Sequence, residues 1–358
     1  MRAVRPVALA TRPRVSVVIP CYDYGRYLPE AVASALDQPG VDVDVLIVDD
    51  RSTDDSAAIA QRLAAADPRV DVLLHETNRG HIRTYNDGLA AVTGEYVVLL
   101  SADDVLTHDS LGRSVALMEA HPEVGLVYGA PRDFSTEHAP ADGRAGGLEG
   151  GLEAWPGATL SWSVWPGAAW VAQMCRRGRN MIRCPEAVMR TSVLREIGGY
   201  DARFPHSGDM LMWLRAAARS DVGRVNGVIQ AYYRVHGRNM HTVDFGGVLD
   251  DFVARRETYR EFLDSDGALL DDPDRLWRLA RRRLAREALR HTQYLATTRD
   301  GIPHIPTMLD FAARLDPRDR VVRAWYAWAA RPPMAGLVFR AEAHRTFLRD
   351  QRELRVGR

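Results

Sequence analysis

The chain has 358 residues, 46% of them apolar, enough for one large domain with an extension or for two domains. Its 47 basic and 47 acidic residues cancel, which excludes the strongly basic signature of a nucleic-acid binder. Every basic residue is arginine, so a P-loop, which needs its lysine, is excluded as well. Charge is unevenly spread, with 22 Arg against 16 acidic residues over 251–358. The three cysteines, Cys21, Cys175 and Cys184, match no zinc or redox spacing and point to a reduced, cytoplasmic setting. Residues 1–14 lack a long apolar core and do not read as a signal peptide. The aromatic stretch 155–175 is interrupted by Pro156, Gly157, Pro166 and Gly167 and does not read as a membrane span.

Val15 to Ile19 forms the first expected strand, ended by Pro20. Leu28, Val32 and Leu36 recur at helical spacing behind Pro29. A second strand runs over Val43 to Val48, with Asp49 and Asp50 at its end, and Ser52-Thr53-Asp54 opens a helix. A short strand over Val70 to Leu74 and a helix over Ile82 to Val92 follow. Tyr96 to Leu100 is apolar at every position, as a strand covered on both faces must be. Asp109 opens the next helix as its N-cap, with Leu111, Val115 and Met118 on one face, and Val124 to Tyr128 is a further strand. This alternation predicts an α/β fold with a mostly parallel sheet. The rhythm then breaks into a long loop over 131–151 and a segment carrying Trp155, Trp162, Trp165 and Trp170, read as packing residues rather than sugar-stacking ones. From Val248 the chain turns helical, with Leu276, Leu279 and Ala280 sharing a face amid Arg278, Arg281, Arg282 and Arg283. A basic amphipathic helix of this kind is either a solvated helix packed on one side or a surface for acidic lipid.

The chemistry gathers at strand ends, where open α/β sheets bind ligands. Ser101-Ala102-Asp103-Asp104 follows the all-apolar strand. Two adjacent carboxylates raise each other's pKa, so a divalent cation that also holds a diphosphate is the economical reading; a helix-capping cluster is the structural alternative. No G-x-G-x-x-G follows the first strand, which argues against a dinucleotide-binding domain. Asp49, Asp50 and, much later, Asp209 complete the set of carboxylates; aspartates suit base and ribose contacts, metal ligation and proton acceptance.

The residues Val15 to Asp23, then Val48-Asp49-Asp50-Arg51-Ser52-Thr53-Asp54, resemble the opening motifs of the family-2 inverting glycosyltransferases, whose second motif usually reads V-D-D-G-S-T-D. Asn78-Arg79-Gly80 with Asn86-Asp87-Gly88-Leu89, Ser101 to Asp104, and Gly198-Gly199-Tyr200-Asp201 with Gly208 to Arg215 resemble that family's later motifs, in the same order. The resemblance covers Val15 to Arg215 and implies a nucleotide-sugar-dependent GT-A type (Rossmann-like) fold, a mostly parallel sheet flanked by helices with a helical C-terminal extension. It divides the chain into a tail over 1–14, a GT-A domain over 15–245 and a helical region over 246–358. The domain comprises a nucleotide-binding half, 15–130, and an acceptor and base half, 131–245.

The resemblance also implies roles. Pro20 and Tyr22 line the nucleotide pocket, and Asp49 and Asp50 contact base or ribose. Asp103 faces the ribose or sugar, Asp104 ligates Mg or Mn, and His236 sits near the metal or diphosphate. Arg83, Arg234 and Arg238 are diphosphate contacts, and Asp209 is the general base. Two positions depart from the pattern: Gly208 stands where an acidic residue is common, and Arg51 where glycine is usual. The implied activity moves a sugar from a nucleoside-diphosphate sugar, with UDP the commonest family nucleotide, to an acceptor hydroxyl in bacterial glycan, cell-envelope or secondary-metabolite synthesis. A nucleotidyltransferase and a non-catalytic sugar-nucleotide or glycan-binding module are the competing readings. The first wants a glycine-rich basic loop that Cys21 to Arg26 supplies poorly, and the second would tolerate loss of Asp104 and Asp209, both present. A cytoplasmic protein is expected; peripheral contact with the inner membrane face and homodimerisation through the C-terminal helices stay open.

Overall fold

The computed structural model describes residues 1–135, 159–237, 239, 247–295, 304–322 and 324. The chain divides into two compact units, one of Met1–Val171, Asn180–Phe245 and Asp264–Leu270, the other of Ala172–Arg179, Gly246–Leu263 and Asp271–Arg358.

The first unit is built on one sheet. Its parallel part comprises β2 (Arg14–Cys21), β3 (Asp42–Asp49), β4 (Val70–Leu74) and β5 (Tyr96–Leu99), in the order β5-β2-β3-β4. Val15, Val17, Val18, Ile19 and Tyr96 to Leu100 are buried, because helices cover both faces of this part of the sheet. Those helices are α1 (Leu28–Leu36), α2 (Ser56–Ala66), α3 (His81–Ala90) and α4 (Ser110–Ala120). Pro20 sits in β2 without breaking the ladder. Its missing N–H falls on the β5 side, where pairing has already stopped at Val18 opposite Leu99. Helix α3 packs close on the sheet at Gly88, where a Cβ would stand 2.4 Å from Val18 Cγ1. The glycine of the N-x-G-L segment is therefore required by packing.

The rest of the sheet is mixed, so the parallel expectation holds only for β2 to β5. β7 (Val124–Phe134) and β10 (Asp221–Arg234) are parallel, while β9 (Val188–Arg190) runs antiparallel between β5 and β7. β8 (Ser161–Trp165) is antiparallel to β10, and β1 (Arg2–Val4) is antiparallel to β8. The first 14 residues are thus not all a tail: Arg2 to Val4 add an edge strand. β7 also runs on to Phe134, taking 131–134 out of the expected loop; residues 136–158, with Trp155, lie outside the described residues. Trp162 and Trp170 are fully buried, as packing residues should be. Asp109 stands at the head of α4 but makes no side-chain cap; its φ is 62° and its carboxylate faces Arg113 at 3.6 Å.

The short strand β6 (Val105–Leu106), immediately after Asp103-Asp104, pairs with Ala231 and Tyr232 of β10. That pairing brings the end of β10 beside the Asp103-Asp104 turn. The remaining helices of this unit are α6 (Thr191–Ile197) and α7 (Gly208–Arg219); α5 (Gly167–Arg177) begins here and ends in the second unit.

The second unit holds most of α8 (Val248–Asp266), with α9 (Pro273–Leu295) and α10 (Ile305–Leu315). Leu276, Ala280, Leu284 and Ala288 of α9 form its buried stripe, and α10 packs against α9 through an apolar face of its own. The arginines of α9 are largely neutralised within the unit. Arg281 pairs with Asp316 at 3.1 Å, and Arg282 and Arg286 share Asp319 at 2.8 and 2.9 Å. No helix among the described residues is long and apolar enough to cross a membrane.

Candidate active site

β2 and β3 leave the sheet side by side, Cys21 opposite Asp49, and two residues later each chain turns through left-handed backbone, Asp23 at φ 56° and Arg51 at φ 62°. The two exits are clasped together. Asp23 Oδ1 accepts bonds from Thr53 N (2.6 Å) and Asp54 N (3.3 Å), and Gly25 N donates to Asp54. Asp23 suits this conformation, but for arginine it costs about 1–2 kcal/mol. Arg51 therefore adopts the backbone that the glycine of the usual motif would adopt freely.

The paired aspartates at the end of β3 are not equivalent, and both are engaged by their own chain. Asp49 is buried and accepts from Ser52 N and Ser52 Oγ, closing the turn. Asp50 is buried and accepts from Arg79 N (2.8 Å) and Gly80 N (2.9 Å), while His75 Nδ1 faces its Oδ1 at 2.8 Å. His75 Nε2 in turn lies 3.2 Å from Asp87, which also meets Arg79 and Arg83. Asp50 thus anchors the Asn78-Arg79-Gly80 segment at the head of α3. Tyr22 is exposed beside it and Pro20 half-buried. Arg83 is exposed apart from its pair with Asp87 at 3.2 Å.

At the end of β5 the chain turns sharply, Asp104 N donating to Ser101 O. Asp104 Oδ1 accepts from Arg234 N at 2.9 Å, whereas its Oδ2 is buried with no partner. Burial, then the neighbouring Asp103 charge, push the Asp104 carboxyl well above the usual carboxylate range. Asp103 Oδ2 lies 3.0 Å from His236 Nε2 and 3.4 Å from Asn239 Nδ2. The His236 ring stacks on Tyr27 with centroids 5.4 Å apart.

Arg234, expected at a diphosphate, is placed otherwise. Its side chain is fully buried between the rings of Tyr27 and Phe134, with Cζ 4.4 Å from each centroid. Its Nε donates to Asp103 O and its Nη2 to Glu30 at 2.6 Å. A guanidinium held this way braces the aspartate turn from behind and is not presented to a ligand. Arg238 lies outside the described residues.

Asp209 sits in the first turn of α7, where the helix dipole favours a carboxylate. Tyr200 Oη donates to its Oδ1 at 2.6 Å. Burial nevertheless raises the Asp209 pKa above the ordinary 3.8, opposed by the Tyr200 bond and by His81. Tyr85 packs edge-on to Tyr200 (5.2 Å) and to His81 (5.5 Å). Tyr85 feels the charges of both Asp209 and Asp103, and Cys184 those of both Asp209 and Asp104. The three carboxylates thus act on a shared pair of buried groups, Tyr85 and Cys184. Glu186 adds a fourth buried carboxyl that acts electrostatically on Asp104. Its Oε1 accepts from Arg183 N, its Oε2 has no partner, and burial lifts its pKa to about 8.

Among the described residues, no three His, Cys, Asp or Glu side chains converge on a single point as a complete metal cage. His236 pairs with Asp103 rather than joining Asp104 in a ligand set. What is present is one buried, unpartnered carboxylate oxygen beside a second carboxylate. That donor set fits a hard cation whose other ligands are phosphate oxygens and water.

The sequence profile of Glycosyl transferase family 2 matches residues 16–151. Over this segment the chain resembles glycosyl transferase family 2. The succinoglycan biosynthesis protein ExoO of Rhizobium meliloti is 35% identical over 115 residues, 32% of this chain and 32% of its own. Alignments span about a third to two fifths of the length of such curated relatives. The fold is GT-A-like. Residues 1–349 of Staphylococcus aureus TarS, solved in complex with UDP-GlcNAc, match with a TM-score of 0.60 at 16% identity, over 95% of this chain and 92% of that fragment. The mannosyltransferase PcManGT from Pyrobaculum calidifontis, solved with GDP-Man and Mn2+, matches with a TM-score of 0.54 at 18% identity, over 94% and 88%.

Of the site residues expected from sequence, His236 meets Asp103 beside Asp104, while Asp209, on α7, shares with these aspartates, among the described residues, only the electrostatic neighbours Tyr85 and Cys184. Pro20, Tyr22, Asp49 and Asp50 line the neighbouring strand exits. The sequence gives no local sign of Asn86, Tyr200, Tyr85, His75, Cys184 or Glu186 as partners in this site, because most are joined to it across 25 to more than 100 residues of chain.

Proposed function

We propose that this chain is a nucleotide-sugar glycosyltransferase that moves a glycosyl group to an acceptor hydroxyl with inversion at the anomeric carbon. One observation supports this reading: a buried aspartate pair with an unpartnered oxygen and a hydrogen-bonded, partly desolvated Asp209 act on the same two buried groups, Tyr85 and Cys184. Asp209 accepts the proton of the acceptor hydroxyl as its oxygen attacks the anomeric carbon and the bond to the diphosphate oxygen breaks. Help of this kind is worth about 10²–10⁴-fold. Attack by one assisted hydroxyl in line with the leaving group gives inversion; a covalent route would require a second carboxylate on the opposite face.

Asp104, with Asp103 beside it, would hold Mg2+ or Mn2+, which when bound neutralises charge on the departing diphosphate. The exits of β2 and β3, with Pro20, Tyr22 and Asp50, form the nucleotide side. Asp50 acts there mainly by fixing the backbone of Arg79 and Gly80. The ExoO relative supports a bacterial glycan as the acceptor class, and the two solved neighbours support UDP- and GDP-sugars as donors to try first.

The test is a thermal-shift panel of UDP, GDP, UDP-GlcNAc and GDP-Man, each with and without Mn2+, on the parent and on Asp104→Ala. A ligand present at 100 times its Kd stabilises the folded state by about 2.7 kcal/mol. A Mn2+-dependent shift lost in Asp104→Ala is expected. An equal shift in both proteins would overturn the assignment of Asp104, and no shift with any donor would favour a binding module completed elsewhere.

A further inference from the structure

Asn86, the first residue of the N-x-G-L segment, takes no part in the chemistry above, yet its side chain is fully committed. Its Oδ1 accepts from Tyr200 N at 2.7 Å and its Nδ2 donates to Tyr200 O at 2.8 Å. Both backbone groups of one residue are thus held by one amide 114 positions away. The approach is close enough to dictate the neighbouring residue: a Cβ on Gly199 would stand 2.2 Å from Asn86 Oδ1. Tyr200 is buried, and its ring is wedged edge-on against Tyr85. With backbone and ring held, its hydroxyl meets Asp209 Oδ1 at 2.6 Å and also reaches the Cys184 thiol.

We propose that Asn86 and Tyr200 are positioning residues that hold Asp209 in its proton-accepting geometry, with Oδ1 engaged and Oδ2 left for the acceptor. This rests on the reading of Asp209 as the general base. A hydroxyl donating to a carboxylate favours the charged form, so the clamp also opposes the burial that raises the Asp209 pKa. The other titratable groups facing Asp209 are His81, which favours its charged form, and Tyr85 and Cys184, both kept neutral by burial. His81 Nε2 faces Pro205 O at 3.2 Å, and Cys184 Sγ donates to Leu99 O.

Tyr200→Phe keeps the ring and removes only the donor. In urea unfolding of the full chain, its destabilisation should grow with rising pH as Asp209 ionises. In an Asp209→Asn background the same substitution should cost the same at every pH. In cleavage of UDP-GlcNAc or GDP-Man with Mn2+, followed as nucleotide release, the acid limb of the kcat/KM profile should move up by about one pH unit, the size of one hydrogen bond to a charged group. The donor KM should stay unchanged. Asn86→Ala should lower kcat about tenfold or more with the same KM, as a displaced base would.

A Tyr200→Phe penalty that is independent of pH in the parental background overturns the proposal, whether or not Asn86→Ala folds. If the pH-dependent coupling is found but Asp209→Asn cleaves donor at the parental rate, the clamp stands and the reading of Asp209 as base fails instead.

Discussion

The two carboxylate centres of the site are built in opposite ways. Asp103 and Asp104 sit on a tight turn after a central strand, braced from behind by a buried arginine sandwiched between two aromatic rings. Asp209 sits at a helix start and is braced by neutral groups, a tyrosine hydroxyl and the amide that pins that tyrosine. The first arrangement tolerates high negative charge and leaves one oxygen, Asp104 Oδ2, without a partner, which suits a centre completed by a cation. The second leaves a single carboxylate fixed in direction, and among the described residues no guanidinium is seen to hold its pKa low, which suits a centre that must take up a proton. Position and proton affinity are thus set separately at each end of the site.

The sharpest way to break this comparison is to exchange the function of the second centre for a neutral isostere. Asp209→Asn should lower transfer or donor cleavage by about 10²–10⁴-fold while leaving the donor-induced thermal shift intact. Next in size is removal of the brace at the first centre. Arg234→Ala removes the pair with Glu30, empties the slot between Tyr27 and Phe134 and frees the aspartate turn. It should cost about 3–5 kcal/mol in urea unfolding and abolish any Mn2+-dependent donor shift. A loss under 1 kcal/mol would mean that the turn holds itself.

A pH experiment sharpens the contrast at Glu186. Its folded pKa, about 8, lies above the ordinary glutamate value, so the native state holds a proton that the unfolded chain has released. That contribution is full below the unfolded pKa and is lost as pH rises towards 8. Glu186→Gln should therefore flatten the decline of Tm between pH 5 and 9, with its greatest relative gain at pH 9. An unchanged slope would contradict the buried, unpartnered placement of this carboxyl. The smallest effect is expected at Arg51, whose left-handed backbone glycine adopts without cost. Arg51→Gly should raise stability by about 1 kcal/mol, and a loss of similar size would show that the guanidinium has a partner.

Legibility in the sequence followed chain distance. The motifs at the ends of β2, β3 and β5 are contiguous and could be read directly, because strand, turn and functional residue lie within ten positions. Gly88 and Asp209 were readable for the same reason. The expectation for Arg234 goes astray because an arginine at a strand end looks the same whether it faces a phosphate or is buried between two rings; Tyr27, Glu30 and Phe134, 100 or more residues earlier, decide it. The antiparallel strand β9 is three residues long and carries too little periodicity to be seen, and β1 gains its strand character only from β8. Tyr200 stands only nine positions from Asp209 and falls in a legible motif, but its tie to Asn86 spans 114 residues and has no local sign.

The central claim is that one site joins a cation-ready aspartate pair to a separate catalytic base. The direct measurement compares parent and Asp209→Asn in parallel, each assayed for Mn2+-dependent donor binding and for donor cleavage over UDP-GlcNAc and GDP-Man. The account predicts equal binding shifts in the two proteins and cleavage reduced at least about a hundredfold in the variant. Equal cleavage in both would contradict it.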